Sequence, residues 1–306
     1  MSSTSTEPLR EPWAFLLGRP PIDEYLSFLI QASPGQNVDI QAAAEDWRRA
    51  EAVIDELTVS EAGAADGRAE SALPTELASR ASRYLSDPAV AATFAVLPAR
   101  VGLVSLDDLI VFQRQISLRY AGELQTVIGD WDVADERLFN FCFGVDQSQP
   151  PINRMQVAAN AFVFQSISTD ARFLGAALID ASQVTGYVPG GRATSAIVLF
   201  VGYGVNALSV ININGRLVLN NGSHRAYALK AAGVAQVPAV IQDVAHEHEL
   251  SVVSHVQQNQ QLYLHNQRPP MLKDFFNPAL HHVIEAPRRS RQVRLQFAMD
   301  TLDAPG

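Results

Sequence analysis

The chain has 306 residues, of which 47% are hydrophobic and 18% charged, enough apolar content to bury one large core or two modest ones and too much for a disordered chain. Its net charge of −9 gives no general attraction for a polyanion, which argues against broad nucleic-acid or anionic-membrane binding. A single cysteine, Cys142, rules out a disulfide framework within the chain; the opening MSSTSTEPLREPW has no signal-peptide character, and a cytoplasmic location is expected.

Residues 1–10 are polar and predicted to be loose. From PPIDEYLSFLI to residue 100 the pattern is helical, and 1–100 reads as an N-terminal helical region for support or dimerisation. QAAAEDWRRAEAVIDEL sets Trp47, Val53, Ile54 and Leu57 near a 3.6-residue period, with Asp39 as a cap. EAGAADGRAESALP is a loop. TELASRASRYLSDPAVAATFAVL gives one or two helices broken at Asp87-Pro88, because the residue before proline is pushed out of the α region.

At 101 the texture changes. Val101 to Val104 reads as a short strand, Ser105 as a capped turn, and helical segments follow to about Ile128. The stretch from 130 to 195 is mixed, and VAANAFVFQSISTDARFLGAALI within it alternates as strands do. AIVLFVGYGVNALSVI is the longest apolar run; its glycines divide it into two short strands, and nothing reaches the ~20 residues that span a bilayer. Asn214-Gly215 predicts a hairpin turn, Ser223 to Ala232 a helix stopped by Gly233, and VPAVIQDV a final strand. AHEHELSVVSHVQQNQQLYL is predicted helical. The domain reading is therefore 1–100 helical, 101–250 an α/β core with an insertion at about 130–195, and 251–306 a C-terminal helix and basic tail.

Neither a G-x-G-x-x-G nor a G-x-x-x-x-G-K-[ST] motif is present. The chemistry-bearing stretch is NNGSHRAYALKAAGVAQVPAVI. A strand ends at Gly222, and a helix begins at Ser223 or His224. The first backbone N–H groups of a helix lack intrahelical partners and carry the positive end of its dipole, and Gly222 would let a ligand approach them. His224 and Arg225 add a switchable and a permanent cationic donor. Positive charge in a first turn opposes the dipole, so an anion site explains these residues better than a plain Ser223 cap.

Elsewhere, His246, His248 and His255 do not converge with metal-ligand spacing, and no transition-metal site is expected. Arg288, Arg289, Arg291 and Arg294 form one dense basic run, read as a solvated edge or interface, or as a second anion contact. Cys142, in LFNFCFG, is expected to be an inert buried thiol.

The run ING-RLVLNNGSHRAYALKAAGVAQVPAVI resembles the signature of the ParB/sulfiredoxin-like superfamily: a strand, a G-x-[HR]-R loop, a helix, a glycine, V-P and a strand. VSLDDLIVFQRQISLRYAGEL resembles its opening strand and helices, so the likeness covers 101–128 and 196–244. It implies an α+β fold with a mixed-sheet core, here with the N-terminal helical region and a large insertion. It implies ATP or another nucleoside triphosphate, with Mg²⁺ carried by the nucleotide, its phosphates held by Gly222, Ser223, His224 and Arg225. Lys230 could reach a phosphate or stand exposed. Asp107 or Asp108, just past the opening strand that sits beside the phosphate loop in that fold, would be a general base or Mg²⁺ ligand, or else a helix-start residue; the catalytic set is Asp107, Asp108 and His224. Ser223 stands where sulfiredoxins carry their cysteine, so sulfinic acid reduction is not expected. No helix-turn-helix domain follows. The function expected is a nucleotide-dependent phosphotransferase, kinase-like, acting on a small molecule. The alternatives are a nucleotide-gated regulatory or partner-binding module and a nuclease-like or DNA-linked protein. The partners expected are nucleotide and small-molecule substrate, with no membrane and no strong nucleic-acid binding; a homodimer is left open.

Overall fold

The computed structural model describes residues 9–19, 21–145, 148–168 and 170–298. The first element is a strand, β1 (Arg10–Leu16). Helices α1 (Ile22–Ala32) and α2 (Ile40–Ser60) follow, and the Asp39 carboxylate accepts from the Ala42 N–H at 3.0 Å to cap α2. Ile54 is buried, with Trp47, Val53 and Leu57 packed partly buried on the same cluster. Helix α3 (Thr75–Leu85) ends ahead of Asp87, which caps α4 (Pro88–Thr93) through the Ala89 and Val90 N–H groups, with Pro88 in the first turn where its missing N–H costs nothing.

The chain then enters β2 (Ala99–Ser105), a 3₁₀ turn at Leu106–Asp108, β3 (Ile110–Val111), β4 (Gln115–Ser117), α5 (Leu118–Gln125) and α6 (Glu136–Phe143). Strands β5 (Asn153–Ala158), β6 (Ala161–Ser166), β7 (Ala171–Asp180) and β8 (Ser195–Tyr203) come next. After them lie β9 (Ser209–Ile213), β10 (Arg216–Asn221), α7 (Ser223–Ala231) and β11 (Gln236–Val244), then α8 (Ser254–Gln258), β12 (His281–Pro287) and β13 (Arg291–Gln296).

Two units divide this chain. The first takes the described residues of 9–145 and 207–288; the second takes those of 148–206 and 289–298. The first is α+β. Its five-stranded mixed sheet has the order β2-β11-β9-β10-β3, with β11 parallel to β9, β10 parallel to β3, and the other pairs antiparallel. β9, β10 and β11 are buried along nearly their whole length, which is why they read as continuous aliphatic runs. The predicted turn joins β9 to β10, with both Asn214 (φ 53) and Gly215 (φ 78) left-handed, as a type I′ turn requires. Gly233 (φ 85) follows α7 as the predicted helix stop.

Four features differ from the sequence reading, the first being that strands β3 and β4 precede α5 where helical segments were expected to follow Ser105. Residues 10–16, within the expected helical region, form the middle strand of a second sheet, β12-β1-β4. Pro12 tolerates this position because β4 pairs only Trp13 to Phe15. Residues beyond 251, expected as helix and tail, include strands β12 and β13. The helix expected over AHEHELSVVSHVQQNQQLYL is broken into a 3₁₀ segment, the short α8 and a π turn. Ser251, Val252, Val253, Ser254 and Asn259 are weak helix formers that shorten it.

In the second unit β6 is central to an antiparallel sheet β13-β6-β5, with Ala161 and Val163 buried, and β7 pairs with β8 as a separate hairpin. The sequence reading sets the insertion at 130–195; α6 (136–143) falls in the first unit, and the second unit's strands extend to Tyr203.

Candidate functional site

β10 delivers the chain to the turn with Leu217, Val218 and Leu219 buried, and the Asn221 side-chain amide donates to the Ala207 carbonyl at 2.9 Å. Gly222 is left-handed (φ 93, ψ 23). A Cβ there would lie 3.1 Å from the Leu208 Cα, so the glycine permits close approach by the chain's own backbone. Leu208 is fixed in turn, its N–H donating to the Cys142 carbonyl at 2.7 Å. α7 then begins, and its first intrahelical bond runs from the Ala226 N–H to the Gly222 carbonyl at 2.8 Å. The N–H groups of Ser223, His224 and Arg225 precede that bond, and the first turn carries no acidic side chain.

The two cationic side chains do not face outward. Arg225 is 3% exposed, and its Nη1 donates to the carbonyls of Phe141 at 3.1 Å and Cys142 at 2.5 Å. These are last-turn carbonyls of α6, where the dipole favours a cation. Arg225 therefore ties α7 to α6, and its predicted role as a phosphate-gripping fork is corrected by that geometry. His224 is partly buried, and its Nε2 accepts the backbone N–H of Ser117 at 3.0 Å. An accepting Nε2 means a neutral ring with its proton on Nδ1. Burial pushes its pKa down to about 4, with the carboxylate of Glu11 pulling weakly the other way. The expectation of a switchable positive charge, or of a base at Nε2, gives way to a structural acceptor joining α7 to the β4–α5 junction.

Around His224 lie residues the sequence reading did not single out. Glu11, 4% exposed, accepts from the Ser117 hydroxyl at 3.2 Å and from Arg119 Nε at 2.6 Å. Ser117 also caps α5 through the Tyr120 N–H. The Tyr120 and Trp13 rings meet the imidazole edge-on at 5.3 and 6.2 Å. The indole Nε1 of Trp13 is buried and has no hydrogen-bond partner among the described residues, a costly state for a donor. Their only advance signal was an acid and an aromatic alternating in REPWAFL.

The remaining predicted residues gather at the opposite end of α7. Lys230 lies in the last helical turn, about 10 Å along the axis from Ser223 at 1.5 Å per residue. It pairs with Asp107 and lies over the Phe276 ring at 5.4 Å. Asp108 lies 3.4 Å from Arg68 Nε. Neither carboxylate joins Gly222 and Ser223, because the 3₁₀ turn after β2 meets the C-terminal end of α7. Cys142 is fully buried, and burial pushes its thiol up to about 12.

Among the described residues no group of three or more His, Cys, Asp or Glu side chains could hold a metal ion. The rings of His246 and His248 stack at 5.5 Å, and His255 stacks on Phe112 at 5.7 Å. Arg288, Arg289, Arg291 and Arg294 are exposed, the last two on β13. No helix among the described residues is long and apolar enough to cross a membrane. Compared with protein-family models, with curated proteins and with solved structures, the chain matches none.

Proposed function

We propose that the chain is a nucleotide-binding protein of the ParB/sulfiredoxin-like kind, and that it holds phosphate through the backbone N–H groups of Ser223, His224 and Arg225. The observation that carries this reading is the junction itself: a strand, a left-handed glycine and a helix whose first turn contains no acidic residue. The inward bonds of Arg225 and His224 support it in a second way. They fix both flanks of the turn, so its amides are pre-organised rather than flexible. The orphaned indole N–H of Trp13, in the same cluster, offers a further donor to a ligand oxygen.

Binding without turnover is the form of this reading that the side chains favour. Phosphoryl transfer needs a group to position or deprotonate the acceptor and charge to meet the metal. Asp107 and Asp108 lie at the far end of α7, His224 is committed at Nε2, and Glu11 is held by Ser117 and Arg119. A nucleotide-gated regulatory or partner-binding module therefore ranks above the ATP-dependent phosphotransferase on a small molecule. Thermal-shift screening of nucleoside triphosphates with and without Mg²⁺, followed by ADP and phosphate release with a metabolite panel, separates them. Stabilisation by triphosphate without release is the expected result. Release that depends on an added metabolite would establish the phosphotransferase, and no stabilisation by any nucleotide would refute both.

A further inference from the structure

The β7–β8 hairpin pairs with no other strand among the described residues. Directly opposite residues in an antiparallel pair share a face, so Leu178 with Ile197, and Ala176 with Leu199, make one apolar stripe. Leu178 is 76% exposed, Ile197 70% and Leu199 42%. Phe173, Leu174 and Phe200 are each about half exposed. Phe173, opposite Val201, shares the face of this stripe, and Phe200, opposite Gly175, stands on the other face. A two-stranded hairpin is also marginal on its own in water.

Its two outer edges are not alike. β7 carries Arg172 and Asp180, and its register shifts between Phe173 and Gly175, devices that blunt an edge. β8, SAIVLFVGY, is nine residues long and has neither a charge nor a proline. We propose that β8 is a homodimerisation strand, pairing antiparallel with β8 of a second copy about a two-fold axis near Leu199 to give a continuous four-stranded sheet. Such a contact must be compatible with itself. The stripe has no charge of either sign to repel its own image or to hold an oppositely charged partner. Centring on Leu199 sets Leu199 opposite itself and Ile197 opposite Val201, apolar against apolar on one face.

Light scattering coupled to size exclusion on the full chain, at micromolar concentration, reads the outcome. The wild type is expected at twice its 33.3 kDa chain mass. The double variant Ile197→Lys, Leu199→Lys is expected to be a folded monomer, because both side chains are exposed, the charge at 199 would face its own image, and the charge at 197 would face the apolar Val201. Val59→Lys, on an 85% exposed residue of α2, is expected to leave the dimer intact. Leu199→Cys, treated with a short bis-maleimide, is expected to cross-link between chains, and Val59→Cys is not; this arm holds even if the lysine variant fails to fold. A monomeric wild type, a dimer that the lysines do not split, or a monomer that floats with phosphatidylcholine vesicles would each overturn the proposal.

Discussion

Arg225 shows at single-residue scale how one side chain can be read two ways. In the sequence it is a cation at a helix start; in the structure it is a buried donor to two carbonyls of α6. Arg225→Ala removes the guanidinium from the Phe141 carbonyl and leaves the Cys142 carbonyl with the Leu208 N–H, and unfolding in guanidinium chloride is expected to show a loss of about 2–4 kcal/mol. Unchanged stability would contradict the assignment. His224 gives a pH signature. Its folded pKa of about 4 lies below the ordinary 6.5, so the unfolded chain binds more protons between those values. The stability it contributes is complete above about pH 6.5 and falls as pH drops toward 4, by roughly 2–3 kcal/mol in all. His224→Gln is expected to flatten that acid limb in denaturant melts from pH 7 to 4; parallel profiles would rule the linkage out. Cys142, fully buried with a raised pKa, is expected to resist a thiol reagent at pH 8 in the native protein and to react only on unfolding. Rapid native labelling would contradict this. The inert thiol was legible from its apolar neighbours. The partners of Arg225 and His224 were not, because Phe141 and Ser117 lie far away in the chain and are chosen by packing rather than by local pattern.

At the scale of elements, what punctuation residues specify was readable and what distant pairing specifies was not. Asp39, Asn214-Gly215 and Gly233 act locally, and each does what its type predicts. The cap on α2 is expected to contribute about 1 kcal/mol, so Asp39→Ala should lower the unfolding free energy by that much in denaturant melts; no change would mean the helix end is held otherwise. β1 was hidden because its partner β12 lies at the other end of the sequence and Pro12 interrupts its pattern. The run after β11 looked helical by composition, yet weak formers at Ser251 to Ser254 let it break. Of the two places the sequence leaves open for Lys230, the structure puts it seven positions past Ser223 at the other end of the short α7, where the dipole favours a lysine.

For the whole molecule, strands β5 to β8 from the middle of the sequence form a second unit together with β13 from beyond residue 288, a pairing that no local pattern announces. The candidate site in the first unit joins β1, β4, α5, β10 and α7, drawing on residues more than 200 positions apart, which no short motif encodes. We propose that phosphate binds the first turn of α7 through backbone N–H groups rather than through the Arg225 side chain. The direct test is titration of the isotope-labelled chain with ATP and Mg²⁺, followed by amide resonances. The Ser223, His224 and Arg225 amides and the Trp13 indole N–H are expected to shift together and saturably. Shifts confined to other residues, or none at millimolar nucleotide, would contradict it.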